Sequence, residues 1–71
     1  MKYIILFTDD KGTETRLSNA GNGHWGYTHE RVHAKEFSSC TKAIWKLNRL
    51  IRKDEIEITS GDTVEFVPVN N

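Results

Sequence analysis

The sequence predicts an α+β fold in which one amphipathic helix packs on a face of an antiparallel sheet of four to five strands. Three observations predict this class: an apolar opening segment at 2–8, a stretch with 3.6-residue apolar spacing at 38–53, and short alternating segments on either side of that stretch. A chain of 71 residues holds one hydrophobic core. We therefore expect a single domain at 1–71 with the element order ββ(β)αββ.

The segments before the helix predict two or three strands. Residues 2–8 read KYIILFT, which is apolar at both alternating sets of positions and is typical of a central strand buried on both faces. A polar turn at 9–12 leads into an alternating segment at 13–18, so we expect an antiparallel hairpin. Residues 25–28 predict a short third strand. Because the first strand is apolar on both sides, its far face needs cover from a loop or from a second copy of the protein.

The helix is the most regular feature of the sequence. Ser38 or Ser39 suits the N-cap, Phe37 before it suits a hydrophobic staple, and the helix is predicted to continue to Lys53. Six apolar residues share one helix face and are predicted to face the core: Cys40, Ala43, Ile44, Leu47, Leu50 and Ile51.

Two alternating segments after the helix predict a C-terminal hairpin. Residues 55–59 and 63–69 flank the turn at 60–62, and Pro68 marks the edge or the end of the second strand. The acidic residues of this region are predicted to form the solvent-exposed face of the hairpin.

Charge and cysteine content exclude several classes of protein. Ten basic and ten acidic residues cancel, so no global field draws the chain to nucleic acid or to an anionic membrane. Cys40 is the only cysteine, which excludes an internal disulfide, and the apolar run at 3–7 is too short for a signal peptide or a membrane span. We therefore expect a soluble protein of the cytoplasm of a host cell. The small core and the apolar first strand favour a homodimer over a monomer.

Residues 29–33 read HERVH and match the H-E-x-x-H motif of zinc-dependent hydrolases. In those enzymes the motif lies on a helix, so that both histidines bind zinc and the glutamate activates its water; an acidic third ligand is available at 54–57. Here the segment has few helix-favouring residues, and the chain is too short to build a substrate cleft. We therefore expect no metal and no cofactor. A zinc-dependent hydrolase with His29 and His33 as ligands is kept as a distant alternative.

Residues 21–26 read GNGHWG and match the G-x-G-x-x-G pattern of dinucleotide-binding proteins. That fingerprint needs a strand before it and a helix directly after it, within a parallel βαβ unit. Here the neighbouring segments predict an antiparallel hairpin, the helix begins well downstream, and Trp25 would crowd a pyrophosphate. We interpret the pattern as a glycine-rich turn.

One side of the helix is the main candidate for a binding surface. Its basic stripe consists of Lys42, Lys46, Arg49, Arg52 and Lys53. We predict that this stripe, together with Trp25, Tyr27 and Trp45, contacts a partner. Such residues bind phosphates while an indole stacks on a base, or they bind an acidic patch on another protein, where Trp and Arg are frequent hot-spot residues. An ordinary solvated helix face is the third interpretation.

Several of these features occur together in a known group of proteins. The strand at 2–8, Trp25, Thr28, the segment AKEFS at 34–38 and Ala43 resemble the pattern of many small phage-encoded accessory proteins of unknown function. The resemblance implies a protein of a phage or mobile element that binds host machinery stoichiometrically, including defence systems such as CRISPR effectors and restriction enzymes.

These observations lead to two functional hypotheses. The first is a non-catalytic binding protein that modulates or inhibits a host protein or protein–nucleic acid complex, for example a CRISPR effector. The second is a small nucleic-acid-binding protein that uses the basic stripe. No Ser/His/Asp or Cys/His constellation and no carboxylate pair is evident in the sequence, so we assign no catalytic residue and expect no enzymatic activity.

Overall fold

The apolar opening segment forms the centre of the sheet. A computed structural model describes residues 1–19 and 24–69 of the chain. Its elements are β1 (Lys2–Thr8), β2 (Glu14–Asn19), β3 (Trp25–Thr28), a 3-10 helix (Arg31–His33), α1 (Cys40–Arg52) and β4 (Thr63–Val69). The strands form one antiparallel sheet in the order β3-β2-β1-β4. The predicted α+β class, with one helix beside an antiparallel sheet, is confirmed, and β1 is central as expected.

β1 pairs unequally with its two neighbours. It pairs with β4 over residues 2–8 but with β2 only over residues 6–8, so β1 and β2 diverge towards the start of β1. The segment 35–37 lies between them there: Tyr3 and Phe37 exchange backbone hydrogen bonds of 2.8 and 2.7 Å, and Lys35 N–H donates to Leu17 O over 2.8 Å. The chain thus returns from the edge strand β3 to the middle of the sheet just before α1 begins.

The core lies between the sheet and α1. Ile5 and Phe7 alternate along β1 towards the helix, and Leu17 of β2 lies on the same side of the sheet. Eight buried residues make up the core cluster: Ile5, Phe7, Leu17, Phe37, Ala43, Leu47, Leu50 and Ile56. Trp25, Ile58, Val64 and Phe66 pack against it as partly buried neighbours.

A loop covers part of the far face of the sheet, over β2. Arg16 and Ser18 flank the core residue Leu17, so their side chains point to the far face. Arg16 Nη1 donates to His29 O over 3.0 Å, and Ser18 Oγ donates to His33 O over 2.9 Å. The segment 29–33 therefore crosses this face over β2.

α1 begins at the predicted cap and buries a narrower face than expected. Ser39 is the N-cap, and its Oγ accepts a 3.1 Å hydrogen bond from Lys42 N–H. The buried residues of α1 are Ala43, Leu47 and Leu50. The expectation that Ile44 and Ile51 also lie in the core is wrong, since they are 41% and 38% exposed. With 13 residues, α1 is short, and in the described part of the chain no helix combines the length and apolarity needed to span a membrane.

α1 ends in a Schellman motif with an unusual residue at its left-handed position. Glu55 N–H donates to Leu50 O over 3.0 Å, and Asp54 N–H donates to Ile51 O over 3.1 Å. Asp54 has a φ of 57°, a conformation that glycine adopts without steric cost. The turn redirects the chain, and Ile56 enters the core directly after it.

The predicted strand at 55–59 is not formed, and this expectation is wrong. After the helix the chain runs without strand pairing until β4 begins at Thr63. Ile56 is buried and Ile58 packs against the core, while Glu57 O accepts a 3.1 Å hydrogen bond from the Tyr27 hydroxyl. The alternation of apolar and polar residues at 55–59 therefore arises because every second side chain packs on the core beside β3. The segment does not pair with a strand of the sheet.

Pro68 lies on an edge strand, as its sequence position indicates. β4 is the outer neighbour of β1, and Pro68 pairs with Tyr3. Because the N–H and C=O of Tyr3 are both bonded to Phe37, they point away from β4 and the Tyr3–Pro68 pair needs no hydrogen bond. Pro68 consequently removes a donor from the open edge of the sheet, which opposes the addition of another strand.

The unequal burial of two neighbouring aliphatic residues gives a test of the core. We expect Leu47→Ala to lower the free energy of unfolding by about 2–5 kcal/mol, because Leu47 is buried in the core cluster. Ile44→Ala removes a similar side chain from the exposed flank and is expected to cost less than about 1 kcal/mol. Urea unfolding of both variants measures the difference. An equal loss in the two variants would contradict the packing described here.

The backbone conformation of Asp54 gives a second stability test. We expect Asp54→Gly to raise the free energy of unfolding by roughly 0.5–1 kcal/mol, because relief of the positive φ exceeds the added entropy of the unfolded chain. Asp54→Ala is the matched control, since it removes the same carboxylate but retains a Cβ. If thermal unfolding shows the glycine variant to be no more stable than the alanine variant, the left-handed conformation is not strained.

Candidate functional site

The outer face of α1 presents the basic stripe to solvent. Burial of Ala43, Leu47 and Leu50 fixes the rotation of the helix about its axis. The other residues of α1 therefore point outwards or along the flanks. Lys42, Arg49, Arg52 and Lys53 are exposed and Lys46 is half-buried. α1 reads CTKAIWKLNRLIR and carries no acidic residue, so its charges all have one sign.

Trp45 is the most exposed aromatic residue of the described chain, at 62%. The guanidinium carbon of Arg49, one turn further along α1, lies 5.5 Å from the centre of its ring. Trp45 and Arg49 line a shallow open depression together with Asn48 and Arg52. The structure therefore brings together an indole, two guanidinium groups and an amide on one accessible surface.

Trp25 and Tyr27, which the sequence assigned to the same surface, lie on β3. Trp25 is partly buried against the core, and Lys46 Nζ lies 4.7 Å from the centre of its ring. Tyr27 packs edge-to-face on Phe7, with ring centres 5.2 Å apart, and its hydroxyl donates to Glu57 O. Trp25 thus adjoins the stripe through Lys46, whereas the contacts of Tyr27 support the fold.

The cations of the stripe have no carboxylate partner within the described residues. The ion pairs there join Lys2 to Glu36 at 3.7 Å, Arg16 to Glu14 at 3.7 Å and His33 to Glu30 at 3.1 Å. None of these pairs includes a residue of α1. The positive charge of the outer helix face is therefore not compensated by direct contact with the protein's own acids.

Two exposed isoleucines on α1 belong to the candidate surface and were missed by the sequence analysis. Ile44 and Ile51, here called the apolar flank, lie on the side of the helix opposite Lys46 and therefore away from β3. Sequence spacing placed them in the core because they adjoin the buried positions on the helical wheel. The buried residues Ala43, Leu47 and Leu50 centre the core face of α1 away from both isoleucines, which the sequence alone does not indicate.

The histidine motif does not form the helical arrangement of zinc-dependent hydrolases. Its last three residues form a 3-10 helix rather than an α-helix. His33 Nε2 lies 3.1 Å from Glu30 Oε2, and His29 Nδ1 lies 3.3 Å from Glu14 O. Within residues 1–19 and 24–69, no group of three or more His, Cys, Asp or Glu side chains is arranged to hold a metal ion.

The glycine-rich pattern is followed by a strand. Residues 21–23 lie outside the described residues, and Gly26 belongs to β3, which pairs antiparallel with β2. No α-helix opens after the last glycine of the pattern, as a dinucleotide fingerprint requires. Cys40, which was predicted to face the core, is half-buried in the first turn of α1.

The outer helix surface carries groups that can form charge-assisted hydrogen bonds and apolar contacts. Guanidinium and ammonium groups donate charge-assisted hydrogen bonds to carboxylates or phosphates, and an exposed indole with two isoleucines offers apolar area. The chain matches no protein-family model, and it shows no significant similarity to curated proteins or to solved structures.

Proposed function

We propose that the protein is a small non-catalytic binding protein that docks the outer face of α1 on an acidic surface of another protein. The observation that carries this proposal is the exposed Trp45, with Arg49 against its ring, in a stripe of cations that lack carboxylate partners among the described residues. Exposed Trp and Arg side chains supply a large share of the binding energy in protein interfaces. An acidic partner would provide the missing counter-charges.

The apolar flank favours a protein partner over nucleic acid. Ile44 and Ile51 lie on the flank of α1 opposite Lys46, and Asn48 and Arg52 lie between this flank and Trp45 on the helical wheel, so apolar area adjoins the indole and one guanidinium group. Protein interfaces combine an apolar centre with a polar rim, whereas a phosphate backbone offers charge with little apolar surface to cover isoleucine. A net charge of zero also gives no long-range attraction to nucleic acid.

A host macromolecule is the class of partner that we propose, for example a defence complex such as a CRISPR effector. This part of the proposal is supported by the resemblance of 2–8 and 34–38 to small phage-encoded accessory proteins. A binder of this size would modulate or inhibit its target by covering an acidic surface that the target needs for nucleic acid or for another subunit. Such action requires stoichiometric binding and no catalysis.

Trp45 is predicted to be the energetic centre of the interface. We expect immobilised wild-type protein to retain a partner from nuclease-treated host lysate and Trp45→Ala to lose it, with a cost of about 2 kcal/mol or more when affinity is measured on the purified partner. Val32→Ala is the matched control, because Val32 is 81% exposed and lies outside α1. Equal retention by the Trp45 variant would contradict the proposal.

Nucleic-acid binding is the alternative function, and a second experiment distinguishes it from binding to a protein. At physiological salt we expect little binding to random oligonucleotides, measured by fluorescence anisotropy. Lys42→Glu combined with Lys53→Glu changes two stripe charges whose side chains form no described ring contact. Submicromolar binding that is lost in this double variant, with a salt slope that falls by about two, would favour the nucleic-acid function instead.

A further inference from the structure

We infer that the partner segment docked on α1 is an acidic amphipathic helix. This inference rests on the proposed function and names the chemistry of the partner. Three features of α1 lead to it: the spacing of its exposed apolar residues, the depression lined by Arg49 and Arg52 that adjoins them at Asn48, and the absence of acidic residues on the helix.

The apolar flank has the spacing of a helix–helix contact. Ile44 and Ile51 are seven residues apart, so they lie about 10 Å apart along the same side of α1, two turns from each other. Thr41 and Asn48 complete a seam with the 3-4-3 spacing of packed helices. A partner helix with apolar residues at matching intervals would cover both isoleucines at once.

An extended partner strand fits this surface less well. The backbone groups within α1 are bonded inside the helix, so its outer face offers nothing for strand pairing. At the open edge of β4, Pro68 lacks the donor that an added strand would use.

Arg52 borders the seam on the side of Trp45, and Arg49 lies beyond Trp45 around the helix. Arg49, Arg52 and Asn48 surround the shallow depression beside Trp45, and no carboxylate of the described chain pairs with either arginine. Planar guanidinium groups bind carboxylates in a bidentate manner. Glu or Asp side chains one turn from the apolar positions of the partner would reach this depression.

Charge opposes docking of the α1 face of a second copy on this surface. α1 carries the basic stripe and no acidic residue, so contact between two copies of this face would oppose like charges across an interface. The homodimer that the sequence favours is therefore not expected to join two α1 faces. A partner with acidic residues on its helix supplies the opposite sign.

Selection from a random peptide library tests the inference. Peptides of about 16 residues, more than four helical turns, are displayed and selected on the immobilised full-length protein. We expect the enriched peptides to be acidic, to carry apolar residues at three-, four- and seven-residue spacing, and to become helical when bound, as circular dichroism of the complex would show. Each enriched peptide is then measured against Trp45→Ala.

The outcomes separate this inference from the proposed function. Enriched peptides that need Trp45 but are basic, extended or without helical spacing would overturn the acidic helix and leave the binding surface in place. Peptides that bind Trp45→Ala as tightly as wild type would overturn the binding surface itself. Failure to enrich any peptide, or binding of the protein to anionic lipid vesicles through α1, would overturn the acidic helix.

Variants of the apolar flank and of the guanidinium groups beside Trp45 give the quantitative test. For a selected acidic peptide we expect Ile51→Ser, and separately Arg49→Glu with Arg52→Glu, to weaken the affinity by about tenfold or more. Val32→Ser and Lys11→Glu are the matched controls, exposed residues outside α1 whose substitution should leave the affinity within about twofold. The melting temperature of each variant is measured alongside. If a folded Ile51→Ser variant binds as wild type, the apolar seam is not used and the inference fails.

Discussion

The backbone exchange between Tyr3 and Phe37 is the constraint on which the rest of the structure depends. After β3 the chain lies at one edge of the sheet, yet α1 must begin near its centre to cover the core. Phe37 forms two backbone hydrogen bonds with Tyr3 of β1, and Lys35 forms one with Leu17 of β2. These bonds hold the segment 35–37 in the space between β1 and β2, directly before the helix starts. Ser39 then caps α1 two residues after Phe37, so the position of the helix follows directly from this contact. Before it reaches this position, the chain crosses the far face of β2 at residues 29–33. One connection therefore both covers that face and positions the helix.

The helix placed in this way packs on the sheet through Ala43, Leu47 and Leu50, and this contact determines which residues of α1 form the candidate surface. Ala43 is fully buried and lets α1 approach the sheet, while Leu47 and Leu50 fill the core. Ile44 and Ile51 are left at one flank of α1, while most cations of the basic stripe, which have no carboxylate partner in the described chain, lie on the opposite flank. Ile44, Ile51 and Trp45 thus expose apolar area on α1, and this is the area that the proposed partner would cover.

Local patterns in the sequence predict most of the strands and the helix, but they do not predict how these elements pack on one another. The bounds of β1, β3 and β4, the cap at Ser39 and the edge position of Pro68 follow from period, capping and turn chemistry. The segment 55–59 was mistaken for a strand because alternate burial against a core has the same period as a strand. Ile44 and Ile51 were assigned to the core because a helical wheel shows which residues share the apolar face. It does not show how much of that face the sheet contacts. The contact of Lys46 with Trp25 joins residues distant in sequence, which no local pattern specifies.

Native-state hydrogen exchange of individual backbone amides tests the central constraint most directly. The account predicts that the amides of Tyr3, Lys35 and Phe37 are protected as strongly as those of the β1–β4 pairing and open with the same free energy. The amide of Glu36, for which no hydrogen bond is described, serves as the internal comparison and should exchange quickly. Exchange of the Phe37 and Lys35 amides at the rate of Glu36 would contradict the account, because the connection would then not hold α1 on the sheet.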